Sequence, residues 1–328
     1  MKKPKIAVIF GGCSPEYDVS LRSAANVIGH INKEKYEVVM IGITRRGEWL
    51  QFFGDPNSIA DDTWHGANCV PAVISPCRIQ QDIIIDAAWP ILHGKNGEDG
   101  TVQGLLELAG IPIIGCATAA AALCMDKNLS HKIAGLAGVR VPKSMIANKA
   151  SEVDMEYPLF VKPARGGSSL GITMVTCKSQ LESAIQEAFE YDSKVTIEEW
   201  IEGFEVGCAI IGSGTELIIG EVDEIELERD FFCNHEKYTL ETSAIHVPAR
   251  IPPHKAKEIK DTAMIIYNAL GCSGFARVDM FLTPAGDIVF NEVNSIPGLT
   301  AGSRFPNMLL AAGMSFVEII DKIIETAL

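Results

Sequence analysis

The chain has no excess of positive charge, no long apolar run and no paired-cysteine motif, and each absence removes a class of function. Of its 328 residues, 28 are Lys or Arg and 42 are Asp or Glu, for a formal net charge of -14. Wrapping a nucleic acid requires a basic face, so that class of partner is excluded, although a few placed lysines can still bind one small anion. No apolar stretch reaches the roughly 18 residues of a membrane span, and the run 6–10 is too short for the core of a secretion signal. None of the nine cysteines is spaced C-x-x-C, which removes zinc knuckles and thioredoxin-type redox motifs. Dispersed, unpaired cysteines fit a reducing compartment, so the expectation is a cytoplasmic protein with no membrane partner. A Walker A loop is missing too, because Gly94-Lys95-Asn96 lacks the hydroxyl residue. Gly11-Gly12 is not followed by the glycines of a dinucleotide fingerprint. There is no internal repeat and no low-complexity tract.

What is present describes a globular chain with a large core: 47% hydrophobic and 21% charged residues. The length suggests two domains or three small ones. Ile6-Ala7-Val8-Ile9-Phe10 reads as a strand covered on both faces. It ends at Gly11-Gly12-Cys13-Ser14-Pro15, where Ser14 suits an N-cap and Pro15 a first helical residue, opening a helix to about residue 31. Strands at 38–43, 83–92 and 111–114, with a helix at 102–109, complete a strand–helix alternation that implies a parallel sheet. Two helices (118–125 and 127–136) then precede a different pattern. Strands are expected at 159–163, 196–201, 205–211 and 216–222, a helix at 179–191, and a polar stretch at 228–243 taken as a lid. A helix at 254–270, strands at 275–282 and 288–293 and a helix at 315–326 finish the chain.

The strongest chemical pattern is Arg277-Val278-Asp279 followed by Asn291-Glu292-Val293-Asn294. Side chains alternate along a strand, so Arg277 shares a face with Asp279, and Glu292 shares one with Asn294. Pairing the two strands would gather Asp279, Glu292 and Asn294 into an oxygen-rich cluster of the kind that hard cations such as Mg2+ take. The alternative is a solvated hairpin face with an Arg–Asp pair. The loop Ala164-Arg165-Gly166-Gly167-Ser168-Ser169-Leu170-Gly171 can offer backbone N–H groups to phosphate, or simply close a hairpin. Lys127 and Lys162 sit in apolar surroundings, where a lysine either snorkels or carries charge to a polyphosphate. Glu198-Glu199-Trp200-Ile201 suits adenine and ribose, and equally a sheet edge. Glu16, in a first helical turn, suits the helix dipole.

In order, these segments strongly resemble the D-alanine–D-alanine ligase family of ATP-grasp enzymes, over nearly the whole chain. The matching motifs are Gly11-Gly12-Cys13-Ser14-Pro15-Glu16, His93-Gly94-Lys95-Asn96-Gly97-Glu98-Asp99-Gly100, Met125-Asp126-Lys127, and Lys162-Pro163 with its glycine-rich loop. Arg277-Val278-Asp279 and Asn291-Glu292-Val293-Asn294 with Pro297-Gly298 complete them. The resemblance implies an α/β ATP-grasp fold: a Rossmann-like parallel-sheet domain (1–120), then two α+β domains (121–212 and 213–328) clasping ATP, with the lid loop 228–243. It implies ATP as co-substrate and two Mg2+ ions, with Mn2+ as a substitute, held by Asp279, Glu292 and Asn294. By the same resemblance Lys127, Lys162 and Lys237 grip phosphates, and Glu198, Ile201 and Glu205 hold adenine and ribose. Arg277 and the Gly298 amide would stabilise an oxyanion, while Glu16, Ser168 and Tyr238 hold the first D-alanine. A homodimer making peptidoglycan precursors is the implied setting.

Two positions bear on the second substrate. The lid keeps a Lys237-Tyr238 pair, as peptide-forming ligases do, and Ser303-Arg304 puts a guanidinium where D-alanine-adding ligases usually carry Leu or Met. A hydrogen-bonding wall favours D-serine, which differs from D-alanine by one hydroxyl. The pattern is similar to that of the D-alanine–D-serine ligases of vancomycin resistance. A housekeeping D-alanine–D-alanine ligase is the alternative. An inactive ATP-grasp binding module is a further one, but it would be expected to lack Arg277, Asp279, Glu292 or Asn294, and all four are present. For Arg304 the plain alternative is a structural salt bridge with the lid.

Overall fold

The structure is a computed structural model and describes residues 2–66, 68–75, 77–79, 83–147, 153–167, 170–227 and 243–328. Its first sheet is built on β1 (Lys5–Gly11), whose residues Ile6 to Phe10 have no exposed surface. That burial follows from position: β1 lies between β2 (Glu37–Ile43) and β7 (Ala87–Ile91) and is parallel to both. From β2 the sheet continues antiparallel through β3 (Trp49–Phe52) to β4 (Cys69–Pro71), and β5 (Ile74–Ser75) with β6 (Arg78–Ile79) form a separate ribbon. Helix α1 (Tyr17–His30) buries Tyr17, Leu21, Ala24, Val27 and Ile28, a helical stripe facing one core. The short α2 (Asn57–Ala60) and α3 (Thr101–Leu108) follow.

Local details differ from the sequence expectations. Ser14 is not an N-cap: its hydroxyl donates to the His93 carbonyl at 2.7 Å, and the helix begins at Tyr17 with Glu16 as the uncapped flanking residue. The expected strand 83–92 shortens to β7, because Ile84 bridges Arg78 instead of the sheet. The segment 111–114 adds only one parallel bridge, Ile113 to Ala88.

Helices α4 (Thr118–Met125) and α5 (Lys127–Leu136) are separated by Asp126, whose side chain accepts from the Leu129 N–H and caps α5. A second, antiparallel sheet comprises β8 (Ser144–Ile146), β9 (Leu159–Pro163), β10 (Thr173–Val175) and β11 (Val195–Glu199), covered by α6 (Lys178–Phe189). The third sheet holds β12 (Phe204–Ser213), β13 (Glu216–Ile219), β14 (Asp223–Leu227), β15 (Ser243–His246), β16 (Phe275–Leu282) and β17 (Ile288–Asn294). The expected strand 216–222 therefore ends at Ile219, and β14 starts at Asp223. Helix α7 (Pro253–Ala269) covers this sheet, and α8 (Arg304–Ala311) and α9 (Phe316–Glu325) close the chain.

The last two helices pack into the apolar cluster of β1 and α1, so the chain's two ends share one core. Phe275 is the aromatic joint of that core: its ring meets Trp89 of β7 at 5.8 Å and Phe305 of α8 at 5.6 Å, both edge-on. Phe275→Ala should lower the unfolding free energy by about 3–5 kcal/mol, measured by urea titration, because it empties a fully buried aromatic site.

Candidate active site

The β16–β17 pairing does what alternation predicts. Asp279 stands opposite Glu292, and Arg277 stands opposite Asn294. Just beyond Asp279 the register slips by one, so Asn291 has no cross-strand partner in the ladder. Arg277 donates to both Asp279 oxygens, at 2.8 and 2.6 Å, and the Asn294 amide donates to Asp279 at 2.8 Å. Burial works against the Arg277 charge, yet the Asp279 carboxylate holds its pKa above the ordinary value.

On the neighbouring strand a glycine makes room for a second guanidinium. Gly207 of β12 lies between Asp223 of β14 and Asp279 of β16 in the sheet. A β-carbon there would stand 2.5 Å from Arg304 Nη2, 2.7 Å from Asp223 Oδ1 and 2.9 Å from Asp279 Oδ1. Arg304, at the start of α8, uses this gap to donate to Asp223 at 2.6 and 2.8 Å and to Glu205 at 2.5 Å, with Asp279 at 3.4 Å. The salt bridge foreseen for Arg304 thus exists, but its partners are three sheet carboxylates.

The two lysines also find carboxylates. Lys127 lies 3.0 Å from Glu292 and donates to the Gly166 carbonyl at 2.7 Å. Lys162 lies 2.6 Å from Glu198. Burial opposes the charge on Lys127 and on Glu198, but Glu292 keeps the Lys127 pKa raised and Lys162 keeps that of Glu198 lowered. Ile201 follows β11 and is half-buried, and Glu205 lies on β12.

A cavity of about 500 Å³ opens where the sheets meet. Of the residues expected from sequence, Glu16, Lys127, Arg277, Glu292 and Asn294 line it, as do Gly298, Ser303 and Arg304. Gly94, at φ +72°, approaches so closely that a β-carbon would stand 2.5 Å from Glu16 Oε2, and one on Gly167 would stand 3.1 Å away. Two glycines from separate loops therefore leave room for the Glu16 carboxylate. At Gly298 a β-carbon would meet the Ser303 hydroxyl at 2.8 Å. Ser168, Lys237, Tyr238 and nearly all of the lid segment 228–243 lie outside the described residues.

Two further residues of the lining, His93 and Glu98, belong to the His93–Gly100 motif and carry no role that the sequence assigns. His93 is buried, which lowers its pKa. Glu98 accepts from the Gly94 N–H at 2.8 Å and the Ile296 N–H at 3.3 Å, tying the N-terminal loop to the loop that carries Gly298. Burial first, and then the Glu16 charge, push the Glu98 carboxyl up to about 8. Its place in His93-Gly94-Lys95-Asn96-Gly97-Glu98 was the available signal.

The sequence matches two family models, the D-ala D-ala ligase N-terminus over residues 5–116 and the D-ala D-ala ligase C-terminus over residues 137–325. The chain belongs to the D-alanine–D-alanine ligase family. Among solved structures, the VanG D-Ala:D-Ser ligase from Enterococcus faecalis is 51% identical, with complete coverage of both chains and a TM-score of 0.92. The vancomycin/teicoplanin A-type resistance protein VanA of Enterococcus faecium is 44% identical over 100% of this chain and 99% of that protein. D-alanine–D-alanine ligase A of Escherichia coli is 36% identical over 100% of this chain and 96% of that protein. The fold is accordingly the α/β ATP-grasp fold of this ligase family, and membership implies use of ATP and a divalent metal. No helix among the described residues is long and apolar enough to cross a membrane.

The donor set suits that metal. Asp279, Glu292 and Asn294 offer hard oxygen donors on two adjacent strands, with Glu292 and Asn294 facing the cavity. Among the described residues no three His, Cys, Asp or Glu side chains are grouped as a closed metal cage. Mg2+ does not need one, since it takes much of its coordination from phosphate and water.

Two outcomes follow from this geometry. Gly207→Ala should displace the Arg304 guanidinium and cost about 1–3 kcal/mol in chemical unfolding, as overpacking does. Glu98 keeps a proton in the folded chain up to about pH 8 that the unfolded chain, near 4.5, has released. Between those values the unfolded state binds fewer protons, so stability falls as pH rises. Glu98→Gln should flatten the decline of Tm between about pH 5 and 8 by a few degrees; an unchanged slope would refute the buried protonated carboxyl.

Proposed function

We propose that this ligase joins D-alanine to D-serine through a D-alanyl phosphate, supplying peptidoglycan precursors with low affinity for vancomycin. The observation that carries the D-serine assignment is Arg304. It lines the cavity beside Ser303 and Gly298, where it gives the second-substrate wall a polar side chain. The 51% identity to a D-Ala:D-Ser ligase and the Lys237-Tyr238 pair support the same reading. In favour of a D-alanine–D-alanine ligase is that most Arg304 donors already face carboxylates, together with the 36% identity to such an enzyme.

In the proposed reaction a carboxylate oxygen of D-alanine attacks the γ-phosphorus of ATP and ADP leaves. The amine of D-serine then attacks the acyl carbon, releasing phosphate and a proton. Glu16 binds the ammonium of the first D-alanine. Lys127 and Lys162 exchange their carboxylate partners for phosphate oxygens, in keeping with phosphoryl transfer being mainly positioning and charge neutralisation. Adenine and ribose fall to Glu198, Ile201 and Glu205. Asp279, Glu292 and Asn294 would hold Mg2+, which would supply the remaining positive charge. Arg277 and the Gly298 N–H stabilise the oxyanion of the tetrahedral intermediate, where preformed donors act best. The setting we propose is a cytoplasmic homodimer.

One assay separates the readings. With D-alanine and D-serine at equal concentration, ATP turnover should yield the D-alanyl-D-serine product in excess, and Arg304→Leu should shift the products toward D-alanyl-D-alanine. Absence of the mixed dipeptide would leave the D-alanine–D-alanine reading. Glu292→Gln should abolish ADP release, and full activity in that variant would remove Glu292 from the metal site.

A further inference from the structure

His131, on α5, lies outside every role assigned above. It is 2% exposed, and its ring packs edge-on against Phe290 at 5.3 Å. Nε2 lies 2.7 Å from the carbonyl of Asn291, the residue left over by the β17 register slip. A carbonyl only accepts, so Nε2 carries the hydrogen and donates it. In the neutral ring Nδ1 is then an acceptor, yet it faces another acceptor, Glu198 Oε1, 4.0 Å away. Neither atom reaches solvent or has a hydrogen-bond partner among the described residues.

Two buried acceptors turned toward each other leave both without a donor, a costly arrangement that a proton on Nδ1 would resolve. The groups facing the ring are Glu198 from β11, Lys162 from β9, Lys127 at the start of α5 and the Asn291 carbonyl of β17. Burial dominates and holds the His131 pKa below its ordinary value, while Glu198 works to raise it. The other oxygen of Glu198 holds Lys162 at 2.6 Å. With a neutral His131, Glu198 has Lys162 as its close counter-charge and keeps it. With a charged His131 the carboxylate is shared, and Lys162 is freer to meet a phosphate.

We propose that His131 is a positioning residue that competes with Lys162 for Glu198 and thereby sets the affinity of the cleft for nucleotide. The inference rests on the proposed reading of Lys162 and Glu198 as part of the ATP site. It predicts tighter nucleotide binding as pH falls and His131 gains its proton, an effect separable from titration of the nucleotide by comparing variants at the same pH. His131→Phe keeps the ring packing but removes both nitrogens. His131→Gln keeps an amide able to donate to Asn291 and Glu198 but cannot titrate.

The test is calorimetric titration with Mg2+-ADP of the full chain and both variants at about pH 5 and about pH 8, because burial holds the His131 pKa below the ordinary histidine value. Relative to the wild type, His131→Phe should weaken binding about tenfold at the lower pH, the size of a charge-assisted hydrogen bond. His131→Gln should bind with little difference between the two pH values. In steady state the KM for ATP should rise in His131→Phe, with the KM for D-alanine unchanged. A pH dependence of binding that persists unaltered in His131→Gln overturns the inference, whether or not His131→Phe folds. Failure of the wild type to bind Mg2+-ADP at all would instead overturn the ATP-site reading, and the inference with it.

Discussion

The guanidinium of Arg304 lies across a gap that only a glycine leaves open, and the third sheet is arranged around that contact. Asp223, Gly207 and Asp279 sit side by side on β14, β12 and β16, so two carboxylates would face each other over an empty position. Left uncompensated, buried like charges of this kind would be strongly destabilising. Arg304 fills the space and meets both, along with Glu205, while Arg277 holds Asp279 from its own strand. Because Arg304 begins α8, the same contact also fixes where the chain after Ser303 runs. One side chain thus ties the sheet, α8 and the wall of the cavity together.

The site as a whole follows the same rule of local compensation. Lys127 is matched by Glu292, Lys162 by Glu198, Arg277 by Asp279. Each pair is largely removed from water, and breaking one by deleting a partner would leave a buried charge behind. The net charge of -14 therefore says little about the interior around the cavity, where each of these cations sits beside a carboxylate.

Much of this was legible in the residue order. A continuous apolar run marked β1 as a strand covered on both faces, and alternation placed Asp279 and Glu292 face to face. Those features depend on neighbours along the chain or across one hairpin. What was not legible depends on distant approach. Ser14 looked like a cap because the sequence does not reveal that the His93 carbonyl, 79 positions away, takes its hydroxyl. Asp223 drew no notice because its burial is explained only by Arg304, 81 positions on. Gly207 in mid-strand gave no warning either, since its reason is a side chain from another element.

Paired lysines also constrain how such a cleft can bind a polyphosphate. A phosphate arriving at Lys127 or Lys162 does not meet a bare cation; it replaces a carboxylate already at 2.6–3.0 Å. The gain is a difference between two ion pairs and is smaller than either, since specificity and affinity are differences of this kind. The displaced Glu292 and Glu198 must then find other positive charge. For Glu292 the divalent metal that family membership implies would supply it. Glu198 belongs to the second sheet and is 1% exposed, so apart from the adenine or ribose proposed for it, its compensation comes from within the fold. Among the described residues the side chain turned toward its second oxygen is the imidazole of His131. On the proposed readings the two lysines differ in what would release them: one would answer to the ligand's own metal, the other to the protonation of a buried ring.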